Sequence, residues 1–433
     1  MMRINKIILK QIGAYEDISI DFKINKDPQK AEIHIFSGVN GSGKSTILYA
    51  LAAGFDSTEL EKRFRDTTQN ENFQIHNNNS QYDIFFEDHS GIVYSISNQE
   101  EGQQEASFSK STQLVNLKKA MNAKANTFQK YRLDFAIFGY SGTRTLYSSP
   151  IASIKEISTN PLYHALNFGK SVNSDLIVQW IANTKARIAF AIQDGNKVLA
   201  QKYEDSIQRV EQAISDIVGY DVHFSFSYDP MNVSIKINNE NLKIDILPDG
   251  LKSIISWITD LFIRMERLPW TDNNNILDKH FILLLDEIEI HLHPSWQRKI
   301  LPVVQSLFKN AQIFIATHSP FVISSISDAW IYKFTLTNGK SSLSEIVPSK
   351  AGFSYQSVLD EVFDVSEYFD VDTENTFHLF YQIKNEILSG NTDNIQTFKE
   401  IGQQLSQKSI ELQDIVGREI RQIERITGKA FIL

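Results

Sequence analysis

Cysteine is absent from all 433 residues, which excludes disulfides and thiolate metal sites and leaves the redox compartment unconstrained. No apolar run is long enough to span a bilayer, and the first residues lack the pattern of a secretory signal. The expectation is a cytoplasmic protein with no membrane partner. Positive charge is also in deficit, with 43 basic against 52 acidic residues and a net charge of −9. That balance argues against nonspecific nucleic-acid binding by the whole surface, while leaving room for a local basic groove. The acidity is concentrated in residues 351–433, which hold 14 acidic and 7 basic side chains. This region reads as a solvated helical face or as a surface for a basic partner. No repeat of fixed period is visible.

What is present begins with GVNGSGKST, Gly38 to Thr46, which fits G-x-x-x-x-G-K-[ST] at every fixed position. Residues 31–37 read as a buried strand entering the loop, and residues 45–53 as a helix leaving it. Gly38, Gly41 and Gly43 free the backbone to wrap a polyphosphate, with Asn40, Ser42 and Thr46 completing the loop. Lys44 supplies positive charge to the β and γ phosphates, and the Ser45 hydroxyl is placed to ligate Mg2+. A second Gly-Lys-Ser at 169–171 has His164 where the first glycine belongs and is rejected.

Residues 3–9 and 18–22 read as a hairpin. The polar tracts 66–81 and 97–112 read as loops of a small antiparallel sheet whose strands are 82–86 and 92–96. Between Ser174 and Val218 the period becomes helical, broken by Asp194-Gly195-Asn196, giving an antiparallel helical hairpin with Leu199, Tyr203, Ile207, Val210, Ile214 and Ile217 on one seam. It either packs on the head or projects from it. Strands at 222–226, 233–237 and 242–246 follow, then a helix over 251–267. The expected parts are 1–165 and 221–350 as two halves of one head, 166–220 as an inserted hairpin, and 351–433 as a helical tail for partner or oligomer contact.

The run Phe281 to Leu285 reads as a buried parallel strand delivering Asp286 and Glu287 at its carboxyl end. Asp286 suits Mg2+, and Glu287 suits the attacking water. A third strand, 312–316, ends in Thr317-His318-Ser319-Pro320, where the histidine can sense a γ-phosphate. His291 and His293, with Glu287 and Glu289 nearby, invite a zinc reading, but no further His or Cys completes a set.

GVNGSGKST, LPDG, FILLLDEIEIHLHP and IFIATHSP occur in the order and relative spacing of ATPases of the ABC and SMC superfamily. The form DE-x-E-x-HLHP followed by ATHSP resembles the branch containing RecF, the overcoming-lysogenization-defect proteins and the ATPase subunits of antiphage systems such as Septu, PARIS and retron modules. The likeness spans about residues 1–60 and 240–350 and is greatest to Septu PtuA-type ATPases. It implies an α/β, ABC-type P-loop ATPase head, with a mixed sheet core plus an antiparallel β lobe, an inserted helical hairpin and a helical C-terminal tail. It further implies ATP and Mg2+ as ligands, with Lys44, Glu287 and His318 catalytic. Leu247, Pro248, Asp249 and Gly250 take the place of the LSGG signature, which acts in trans on the γ-phosphate of a second protomer. Pro248 stands where the signature has serine and removes a hydroxyl contact; Lys252 either supplies compensating charge or is a solvated helix lysine. Residues 138–144, with Arg144, stand where a Q-loop belongs, and His291 and His293 fall in the D-loop.

Asp370-Val371-Asp372 resembles the paired aspartates of a Toprim nuclease, yet an acidic helix start explains it. The resemblance therefore implies a homodimer or higher homo-oligomer built on an ATP sandwich. It also implies that the assembly controls a separate effector, an HNH or Toprim nuclease, with nucleic acid reached through the complex. The alternative is a DNA-repair ATPase of the RecF or SMC kind that binds DNA directly.

Overall fold

The computed structural model describes residues 2–25, 27–65, 67–69, 75–77, 79–98, 111–142, 146–170, 172–365, 367–391 and 394–428. The chain divides into a unit of residues 1–363 and a second of residues 364–433. Among the described residues no helix is long and apolar enough to cross a membrane.

In the first unit, the strand Glu32–Gly38 is buried at all seven positions, because both its faces are covered. It lies inside a six-stranded sheet whose order is Lys340–Pro348, Trp330–Thr337, Glu32–Gly38, Ala311–Ala316, His280–Asp286 and Phe135–Tyr140. Every neighbouring pair is parallel except the edge hairpin of Trp330–Thr337 with Lys340–Pro348. The carboxyl ends of the parallel strands therefore share one edge, where loops can converge on a ligand. A separate four-stranded antiparallel sheet holds Tyr15–Asp21, Arg3–Ile12, Gln81–Glu87 and Val93–Ser97 in that order.

The helical hairpin consists of Ser174–Gln193 and Lys197–Val218. It packs on the head rather than projecting, since Ile177, Val178, Ile181, Val210 and Ile214 share the head's core. Three short strands follow, Val222–Tyr228, Met231–Ile237 and Glu240–Lys243, the last stopping short of the expected 246 because residues 244–246 turn into a 3-10 helix. The helix Asp249–Arg267 is anchored from inside: Arg264 Nε donates to Asp260 at 2.5 Å, and Tyr140 OH donates to the same carboxylate at 2.8 Å.

The second unit contains helices Val371–Leu388, Ile395–Lys408 and Ile410–Thr427 around Phe377, Phe380, Phe398, Leu405, Val416 and Ile423. Asp370 caps the first of these, its carboxylate accepting from Thr373 N at 3.0 Å. The expected boundary at 351 shifts to 363, because Val358 and Val362 of the helix Tyr355–Phe363 are buried in the head.

Candidate functional site

Two positions of the loop admit only glycine. Gly38 has φ 152°, and a Cβ there would lie 2.4 Å from the Phe334 carbonyl oxygen; at Gly43, φ 84°, it would lie 2.6 Å from the Tyr15 ring. The loop is braced where those contacts occur. Tyr15 OH donates to Ser42 O at 2.9 Å, and Ser341 Oγ donates to the same carbonyl at 2.7 Å. Gly43 precedes the helix Lys44–Ala52, whose first turn carries no side-chain cap.

Lys44 is buried and donates to the carbonyls of Gly38 at 2.9 Å and Val39 at 3.0 Å. Burial pushes its ammonium down to about 8, against the pull of Asp286, Glu287 and Glu289. One turn along, Ser45 Oγ donates to Asp286 Oδ1 at 2.8 Å, and Tyr49 OH donates to Oδ2 at 3.0 Å. Ser45 and Tyr49 are four residues apart, so one helix face grips both carboxylate oxygens. Burial nonetheless raises the Asp286 carboxyl, with those two donors opposing it.

Glu287 follows with φ 49°, and its amide donates to Ala316 O at 2.8 Å, joining the ends of two strands. Its carboxyl is raised by burial and by Asp286, with Lys44 opposing. At the next strand end, His318 N donates to Glu289 Oε1 at 2.7 Å. The His318 imidazole is held below its usual pKa by burial and by Lys44, so it is neutral at pH 7. Glu289 Oε2 and Ser42 Oγ are buried with no hydrogen-bond partner among the described residues.

These observations fit a bound polyphosphate. Two cradle positions exclude a side chain, a buried hydroxyl lacks a partner, and the ammonium is satisfied by loop carbonyls alone. The Ser45 hydroxyl and Asp286 carboxylate are hard oxygen donors suited to Mg2+.

The fold brings Lys44, Ser45, Asp286, Glu287 and His318 close together. The signature residues have other neighbours. Leu247 is in the core, Pro248 and Asp249 are exposed, and Gly250 sits so close to the turn at residues 288–291 that a Cβ would meet His291 O at 2.4 Å. Lys252 Nζ donates to Asp245 O at 2.8 Å and pairs with Asp249 at 3.6 Å. Of the Q-loop candidate, residues 138–140 belong to the strand Phe135–Tyr140. Gly142 is pressed against Glu287 O, 2.6 Å from where its Cβ would be. Thr143 and Arg144 lie outside the described residues. His293 caps the helix Pro294–Leu307 by accepting from Ser295 N at 3.3 Å, and no metal-binding cluster of His, Cys, Asp and Glu occurs among the described residues. Sequence reasoning missed Tyr15, Tyr49 and Ser341, and named Glu289 only beside a zinc reading and not as the acceptor of His318 N; of these, Tyr49 is legible from its spacing to Ser45.

Residues 33–324 match the family described as "AAA domain, putative AbiEii toxin, Type IV TA system". "Retron Ec83 probable ATPase" of Escherichia coli is 31% identical over 183 residues, which cover 40% of this chain and 32% of that protein. "Septu protein PtuA" of Bacillus mycoides (strain KBAB4) is 23% identical over 379 residues, covering 85% of this chain and 46% of that protein. The chain thus spans less than half the length of either relative. Among solved structures, "Crystal structure of the SmcHead bound to the C-winged helix domain of ScpA" aligns with a TM-score of 0.44 at 13% identity, over 80% of this chain and 98% of that one.

Proposed function

This chain belongs to that AAA-domain family, matched over residues 33–324, and on that premise we propose that it binds and hydrolyses ATP, using the nucleotide state to control a separate effector in antiphage defence. The observation that carries the reading is the Ser45 to Asp286 hydrogen bond of 2.8 Å, which joins the phosphate loop to the acidic strand end across 241 residues of sequence. Mg2+ held by Ser45 and Asp286 would neutralise phosphate charge.

The chain's own groups do the rest. Loop amides and Lys44 bind the β and γ phosphates and balance the charge that develops in the transition state. Glu287 takes a proton from water as the water oxygen bonds to the γ-phosphorus and the bond to the bridging oxygen breaks, releasing ADP and phosphate. His318, neutral, donates a hydrogen bond to the γ-phosphate, and Glu289 positions it through the backbone.

An ATP sandwich with a second copy is supported by the start of the helix Asp249–Arg267, where Pro248 supplies no side-chain cap and Pro248 and Asp249 face solvent. The names of the relatives, a Septu protein and a retron ATPase, support the defence role; that the effector is a nuclease of HNH or Toprim type is part of the proposal. The test is Glu287→Gln. Removing the base should cut turnover about 10²–10⁴-fold while ATP still binds and dimers or larger assemblies accumulate in light scattering. Unchanged turnover refutes the assignment of the base, and monomers at saturating ATP refute the sandwich.

A further inference from the structure

The helix Lys197–Val218 changes character along its length. Ile207, Val210, Ile214 and Ile217 are almost fully buried, whereas Leu199, placed on the same seam by the sequence, is 37% exposed. The first half of the helix instead borders a cleft of about 900 Å3, whose other wall is the segment 268–279. Five basic and three acidic side chains line it, so its walls are net positive in a chain that carries −9 overall.

The acids are largely engaged. Asp272 is ion-paired with the buried Lys279, and Asp205 accepts from Gln201 Nε2 at 2.8 Å. Glu266 accepts from Trp180 Nε1 at 3.3 Å and from Ser206 Oγ. Lys197, Lys202 and Arg209 make no side-chain hydrogen bond or ion pair among the described residues, though Arg209 and Lys202 are near enough to Glu266 to oppose the rise of its carboxyl. Tyr203 and Trp270 add aromatic surface beside them.

This cleft lies away from the nucleotide. Lys279 immediately precedes His280–Asp286, so the cleft meets that strand at its amino end while Asp286 stands at its carboxyl end. Seven residues of strand separate the two by roughly 20 Å.

We propose that the cleft binds single-stranded nucleic acid, with Lys197, Lys202 and Arg209 pairing with phosphates and Tyr203 and Trp270 stacking on bases. The three cations span twelve residues of helix, about 18 Å, a length suited to a few nucleotides. Stacking on Tyr203 and Trp270 needs unpaired bases, which favours a single strand over a duplex. Aromatic surface between cations favours stacked bases over a carboxylate-rich peptide, which gains only the charge term. This site is independent of the nucleotide reading above.

The test is fluorescence anisotropy of labelled oligo-dT and oligo-U, twelve nucleotides long, with the whole chain. Three phosphate contacts imply a slope near −2 in log affinity against log salt, about a 20-fold loss between 50 and 200 mM. The Lys202→Glu and Arg209→Glu double variant should bind at least about tenfold more weakly, and Trp270→Ala about tenfold more weakly. The neutral pair Lys202→Gln and Arg209→Gln should fall between, a control against misfolding. ATP turnover without nucleic acid should be unchanged in the charge variants, and Lys44→Ala should retain the oligonucleotide. The proposal is overturned by no binding, by binding indifferent to charge reversal or lost in Lys44→Ala, by equal affinity for a blunt duplex, or by equal competition from poly-glutamate.

Discussion

Replacing Lys44 with methionine should stabilise the nucleotide-free protein at pH 7 while abolishing nucleotide binding. The ammonium is buried and held at about 8 instead of 10.5. At 1.36 kcal/mol per pH unit that difference is about 3 kcal/mol. Water reaches part of the group, and screening reduces the cost to about 2 kcal/mol. Methionine keeps the apolar stem and removes the charge, but leaves the carbonyls of Gly38 and Val39 without their donor, a loss of about 1 kcal/mol. The net gain is about 1 kcal/mol.

Because the lysine has the lower pKa in the folded state, the unfolded chain binds more protons between about pH 8 and 10.5. Wild-type stability therefore rises with pH across that window, and the charge cost is full only below it. Urea unfolding of the head's transition at pH 7 and at pH 9.5 should show the variant's advantage at the first and its disappearance at the second. Saturating Mg-ATP, at about a hundred times its Kd, should stabilise wild type alone by about 2.7 kcal/mol. A variant less stable at pH 7, or an advantage independent of pH, refutes the argument that the loop holds its cation at an electrostatic cost.

Tyr49→Phe deletes one of the two donors on Asp286 and should raise the Mg2+ concentration for half-maximal turnover about threefold to tenfold, following about 1 kcal/mol for one hydrogen bond; metal titration of the ATPase rate checks it. Gly250→Ala places a Cβ 2.4 Å from His291 O and should destabilise the head by about 1–3 kcal/mol. It should also weaken ATP-dependent assembly, read by urea midpoint and light scattering.

The phosphate loop, the Asp-Glu strand and the strand before His318 were legible because each is a local pattern of apolar run followed by chemistry. Their side-by-side order was not, since an apolar run does not name its neighbour. Phe135–Tyr140 is such a case: part of it looked like a loop, yet it pairs with His280–Asp286 and is buried throughout. The edge hairpin Trp330–Thr337 and Lys340–Pro348 carried a readable turn, Asn338-Gly339, both at positive φ. The brace on Ser42 could not be read, because Tyr15 and Ser341 reach it from elements 27 and 299 residues away. The tail boundary was misplaced because composition marks where acidity begins, while Val358 and Val362 decide where the core ends.

The bond between Ser45 and Asp286 also has a meaning in time. A ribosome that has just completed Ser45 must add 241 more residues before its carboxylate partner exists, roughly 12 to 48 s at 5–20 residues per second. Throughout that interval the emerging chain holds the loop without the acid that completes it. The pairing of Ser45 with Asp286 therefore cannot form until about two thirds of the 433 residues have been made.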